Sequence, residues 1–209
     1  MNADAVLQHI DETRRTHGLL TIEETLALTA LGNVVFDPFS TLIARTAEIG
    51  RDNILHPNVQ LLGTAPLHIG DGNTLHAGTR IEAASGPIRI GDHNEIGDGG
   101  FSARTLAPGA SITIGDDGRY QLNCAVTGMC HLGSGSQIFG PITVDSCNLG
   151  AGGSHRESDP DRRGAVLKGA GRARGLTLMR GQVIQGFGLF DVKDVKMQSF
   201  YHPKAEPHA

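Results

Sequence analysis

The sequence predicts an all-β solenoid, a three-sided parallel β-helix of hexapeptide repeats behind a short helical N-terminal cap. Three observations point there. Six stretches open alike: Ile49-Gly50-Arg51-Asp52-Asn53, Ile69-Gly70-Asp71-Gly72-Asn73, Ile90-Gly91-Asp92-His93-Asn94, Ile114-Gly115-Asp116, Leu132-Gly133-Ser134 and Leu149-Gly150-Ala151. Within them an aliphatic residue returns every six positions, as in Ile49, Leu55, Leu61 and in Leu132, Ile138, Val144. That period fits neither a helix nor an ordinary strand; it fits three short strands per coil. Finally, 29 Gly, no Trp and 4% aromatic residues describe a core of small and aliphatic side chains.

Each element follows in order. Residues 1–33 read as a helical cap. Asn2 to His17 carries Val6, Leu7, Ile10 and Arg14 at helical spacing, and Thr21-Ile22-Glu23-Glu24 matches a capping box with Gly32 as the stop. Residues 34–153 form the β-helix, of which about six coils are visible in the repeat. The aliphatic residue points inward, the Gly relieves the corner, and the Asp or Asn behind it bonds nearby amides. Longer intervals between coil starts mark loops near 63–68, 83–89 and 104–113. Residues 154–177 break the rhythm and read as a basic loop excursion. A last coil resumes at Leu178, Ile184 and Phe190, and an irregular tail with Pro203 and Pro207 completes the segment 178–209.

Composition narrows the function classes. A net charge of −4 and a pI near 6.2 give no reason to expect nucleic acid or an anionic membrane. No apolar run approaches the ~20 residues of a membrane span, and the N-terminus lacks a basic-then-apolar signal, so a cytoplasmic setting is expected. Three Cys without CxxC spacing predict reduced thiols, with Cys130 and Cys147 as neighbours.

The coil frame predicts which side chains meet. His56 and His76 each fall seven residues after a coil start and should stack. Immediately before the starts come Glu48, His68, Arg89, Thr113, His131 and Asn148, a ladder along one edge that sets His131 beside Asn148. His155, six after Leu149, falls on an expected inward slot. Between Arg156 and Arg180, seven basic residues face three acids.

The segment Cys147-Asn148-Leu149-Gly150-Ala151-Gly152, a polar loop and Val166-Leu167-Lys168-Gly169 resemble the acetyltransferase half of the bifunctional N-acetylglucosamine-1-phosphate uridylyltransferase/glucosamine-1-phosphate acetyltransferases. The repeat matches over roughly residues 45–155. The resemblance implies a left-handed β-helix, an acyl-CoA cosubstrate (acetyl-CoA first), an amino sugar or other small amine or hydroxyl acceptor, no metal, and a homotrimer. The family's catalytic His has no counterpart: Ser136-Gln137-Ile138-Phe139-Gly140 stands in that place, and with no Gly-rich nucleotide loop in these residues, sugar-nucleotide pyrophosphorylase activity is not expected. If acyl transfer persists, a His must act as base. The candidates are His131 with Asn148 beside it, and His155. Lys168, Arg172 and Arg174 are candidates for the cofactor phosphates, and His76 and Arg89 for the acceptor. The alternative is a non-catalytic β-helix that binds a ligand or serves in assembly. A zinc enzyme of the γ-carbonic anhydrase type would need two His about five apart, and no such pair exists among His56, His68, His76, His93 and His131.

Overall fold

The computed structural model describes residues 3–202. Helix α1 spans Ala3–Thr16, helix α2 spans Ile22–Ala27, and a 3-10 turn covers Leu28–Leu31. The capping box forms as expected: Thr21 Oγ1 accepts from the Glu24 amide at 3.1 Å, and the Thr21 amide donates to Glu24 Oε2 at 2.8 Å. Gly32 ends the cap at φ 79°. The helix start predicted at Asn2 and the tail prolines lie outside the described residues.

One side chain fastens the cap to the first coil. The Arg14 guanidinium is buried and donates to the carbonyls of Pro38 at 2.7 Å, Phe39 at 2.9 Å, Thr41 at 3.2 Å and Leu20 at 3.2 Å. Burial pulls its pKa down while Asp11 and Asp37 pull it up. Arg14→Met strands those carbonyls, and denaturant unfolding should show a loss of about 2 kcal/mol.

From Val34 to Leu189 the chain winds as a left-handed parallel β-helix of about eight coils. Three stacks of parallel strands form its faces, the first two joined into one 15-stranded sheet and the third a separate 7-stranded sheet. The first face runs from Val34–Val35 through Ile54–Leu55, Thr74–Leu75, Glu95–Ile96, Arg119–Gln121 and Gln137–Phe139 to Val166–Lys168. The second contains Leu42–Ile43, Gln60–Gly63, Thr79–Ala83, Phe101–Arg104, Cys124–Thr127 and Ile142–Asp145. The third runs from Ala47–Ile49 to Thr177–Leu178. Strands Val166–Arg174 and Gln182–Leu189 turn the corner between the first and second faces, pairing with each other from Val166–Val183 to Arg172–Leu189.

Inward residues stack in columns, such as Leu55, Leu75, Ile96, Tyr120, Ile138 and Leu167, all fully buried. A buried amide ladder runs beside them. Asn33, Asn53, Asn73 and Asn94 each accept the backbone amide one coil on, at 2.8–2.9 Å. Their Nδ2 groups donate to the carbonyls of Gly50, Gly70, Gly91 and Gly115, each at 2.9 Å. The corner Asn predicted to bond near itself thus bonds across coils.

Three expectations change. The helix has about eight coils: besides the six openings and the expected last coil at Leu178, a first coil begins at Asn33, where no aliphatic-Gly opening stands at the Ile49-Gly50 position. The loop after Gly153 ends well before residue 177, since Val166–Arg174 is a strand. His155 does not point into the prism. Leu167 takes that slot, because the chain departs at Gly153 and rejoins at Gly164, whose amide donates to the Gly153 carbonyl at 3.0 Å.

Candidate functional site

The predicted ladder exists as drawn. Glu48, His68, Arg89, Thr113, His131 and Asn148 lie opposite one another in successive strands of the third face. His131 and Asn148 are neighbours, yet both are exposed on the flat sheet, and neither borders the clefts described below. Arg89 sits two strands from His131. It borders a recess of about 60 Å³ with His68 and Glu48, which approach to 3.4 Å.

Two adjoining clefts lie on the first face instead. Its outward residues form two rows. One contains Thr74, Glu95, Arg119, Gln137 and Val166. The other carries Phe36, His56 and His76, whose rings follow at 5.0 Å intervals with the two imidazoles 15° from parallel. The stacking expected of His56 and His76 is therefore present.

The 154–165 excursion folds back over this face and, with it, bounds two adjoining clefts. The first, about 420 Å³, is bordered by Phe139, Arg163, Val166, Lys168, Val183 and Tyr201, and the second, about 480 Å³, by His76, His93, Asn94, Glu95, Asp117 and Arg156. Arg119 and His155 border both. The excursion is pinned internally: Arg163 Nε donates to the Glu157 carbonyl at 2.7 Å, and Asp159 caps a short turn by accepting from the Asp161 amide at 3.1 Å.

Electrostatics single out His155. Its pKa is lowered, first by burial and then by the Arg119 and Arg156 charges, with Arg163 adding and Glu95 opposing. Its Nδ1 and His76 Nε2 are buried without a hydrogen-bond partner among the described residues. His76 Nε2 stands 3.9 Å from Glu95 Oε1, too far for a hydrogen bond. Buried polar atoms are nearly always partnered, so these two imidazole nitrogens, on residues that border one cleft, are unusual in this fold. Burial pushes Cys124 up to about 12 and Cys130 up to about 11, which leaves both thiols protonated and unsuited to nucleophilic work. Cys130 and Cys147 are free neighbours: the Cys147 amide donates to Cys130 Sγ at 3.4 Å.

The structure thus divides the predicted site residues. His76, His155 and Lys168 belong to the first-face clefts. Arg172 and Arg174 lie on the second face, where both contact Asp145, at 3.2 and 3.4 Å. They border a separate open cleft with Lys193 and Asp191. The basic trio is therefore split by the corner at Gly169 and Gly171, both at positive φ. Sequence reasoning missed Arg119, Glu95 and Phe139. Their signal was present: Glu95 and Arg119 are outward neighbours on the same face as His76, one and two coils on. Among the described residues, no group of three or more His, Cys, Asp or Glu is arranged to hold a metal ion, and no helix is long and apolar enough to cross a membrane.

Fold and repeat define the class, a hexapeptide left-handed β-helix. Within it the chain is similar to the bifunctional protein GlmU of Bifidobacterium longum subsp. infantis, 32% identical over 97 residues. That match covers 45% of this chain and 17% of the relative, so the chain spans less than a fifth of the relative's length. No protein-family profile matches the chain.

Proposed function

We propose that this protein is an acyltransferase that moves an acyl group, acetyl first among them, from a CoA thioester to a small amine or hydroxyl acceptor such as an amino sugar. The observation that carries this reading is the pair of clefts meeting at His155. The first combines apolar walls (Phe139, Val166, Val183) with Lys168 and Arg163, a lining suited to the arm and phosphates of a thioester cofactor. The second, with Asn94, Glu95, Asp117 and His76, offers the hydrogen-bonding groups that a polyol or amine needs. A group transferred between two such ligands crosses at their junction.

His155 has the properties of a general base there. Its lowered pKa keeps the imidazole neutral at physiological pH, and the residue borders both clefts. This transfers the base from His131, whose exposed position gives it no enclosed ligand to act upon. The likeness to GlmU, and the resemblance carried by residues 147–152, support the reaction class; the acceptor follows from the cleft's chemistry alone.

Calorimetric titration with acetyl-CoA should show saturable binding, weakened by Lys168→Glu and unaffected by Arg174→Glu on the other face. No binding at millimolar acetyl-CoA would leave the alternative, a non-catalytic β-helix. Homotrimer formation, which the resemblance implies, belongs to the same proposal; a solution mass separates it from a monomer.

A further inference from the structure

Arg119 is held from both sides by cross-strand partners. Its Nε donates to Glu95 Oε2 at 3.0 Å, and its guanidinium carbon lies 5.2 Å over the Phe139 ring. Glu95 and Phe139 belong to the strands on either side of it. One edge and one face of the guanidinium are thereby fixed, while neither Nη group hydrogen-bonds to any described residue. A planar fork so held matches the geometry of an oxyanion. Arg119 borders both clefts, as does His155.

We infer that the Arg119 fork is an oxyanion-binding subsite, oriented by Glu95 and Phe139, and that it holds the oxyanion formed during acyl transfer. The second half of this statement rests on the reaction proposed above. In that reaction the acceptor nitrogen attacks the thioester carbonyl carbon. A C–N bond forms, the carbonyl π pair moves onto oxygen, and the Nη groups receive that charge. His155 takes the amine proton. The carbonyl then re-forms as the C–S bond breaks, and His155 returns the proton to the leaving thiolate. Arg119 is in this account a catalytic residue, and Glu95 and Phe139 are positioning residues.

Two measurements test it. The first needs no activity: the His155 imidazole is titrated by NMR with and without inorganic phosphate, its signals assigned by comparison with His155→Ala. Phosphate seated on the fork should raise the His155 midpoint saturably, because a nearby anion favours the imidazolium. Arg119→Gln should weaken that phosphate response about tenfold or more, and Arg119→Lys should restore only part of it, since Lys lacks the fork. An absent phosphate effect, or one unchanged in Arg119→Gln, overturns the subsite even in an active enzyme. The second is kinetic: Arg119→Gln should lower kcat about 10²–10³-fold with the KM for acetyl-CoA held, and Glu95→Ala and Phe139→Leu should lower kcat less, with melting temperatures retained. Phosphate binding at the fork without acyl transfer in the wild type overturns the proposed reaction and leaves the subsite standing. A fall confined to KM overturns the oxyanion role.

Discussion

His155→Ala should reduce acyl transfer by about 10²–10⁴-fold, the range expected for loss of a general base, while leaving the fold intact. The side chain lies outside the prism, and its buried Nδ1 bonds to nothing among the described residues, so removing it strands no partner. Acetyl-CoA binding should persist, because the cofactor contacts proposed for Lys168 and the apolar wall do not involve the imidazole. The pH profile supplies a second signature. Burial, then Arg119 and Arg156, lowers the His155 pKa below its ordinary ~6.5. A base works when neutral, so kcat should rise with pH through a midpoint below that value and be level at neutrality. The linked stability term has the matching sign. Below ~6.5 the unfolded chain takes up the proton more readily than the folded one, so this group's contribution makes folding less favourable as pH falls. Stopped assays with His155→Ala and His131→Ala side by side decide the matter. A large loss in His131→Ala with none in His155→Ala would return the base to the third face.

The second large effect is on stability. Asn73 is fully buried; its Oδ1 accepts from the Asn94 amide at 2.9 Å, and its Nδ2 donates to the Gly91 carbonyl at 2.9 Å and to Asn53 Oδ1 at 3.1 Å. Asn94 Nδ2 also donates to Asn73 Oδ1 at 3.0 Å, and Asn73→Leu keeps the volume while removing all four bonds. An amide and a carbonyl then stay buried without bonds, at about 1–3 kcal/mol each. For a chain of this size that corresponds to a fall in Tm on the order of 10 °C. The neighbouring Asp92 makes a useful contrast. Its Oδ1 accepts the Asp71 amide at 2.7 Å on the exposed side of the corner, where water can replace it. Asp92→Ala should therefore cost less than about 1 kcal/mol. Equal losses in the two variants would show that the Asn ladder owes nothing special to its burial.

The repeat made most of the scaffold legible, and the reason is geometric. A coil returns each residue to the neighbourhood of one nearly twenty positions away, so the ladder from Glu48 to Asn148 and the stack of His56 on His76 could be placed by counting. Counting fails where the count is interrupted. The frame gives His155 an inward slot only if the coil continues past Gly153, whereas the chain leaves there and Leu167 fills the column. Arg172 and Arg174 were grouped with Lys168 because they share a basic run, but the strand bends at Gly169 and Gly171, and the bend sends them to another face. Arg119 and Glu95 were overlooked for the opposite reason. They occupy ordinary outward positions of ordinary strands, and what distinguishes them is a cleft created by a distant loop.

The way the 154–165 loop joins the scaffold has a practical consequence. It begins and ends at touching backbone positions, since the Gly153 amide donates to the Arg162 carbonyl at 2.8 Å and Gly164 returns the bond to Gly153. Such a closed detour behaves like a cassette plugged into a socket. Residues 154–159 can be exchanged with least disturbance to the coils, whereas Asp161, Arg163 and Gly164 must be kept, because they accept bonds from Ser199, Gly181 and Gln198. Preference among acceptors could then be retuned by grafting this one segment, with the framework left untouched.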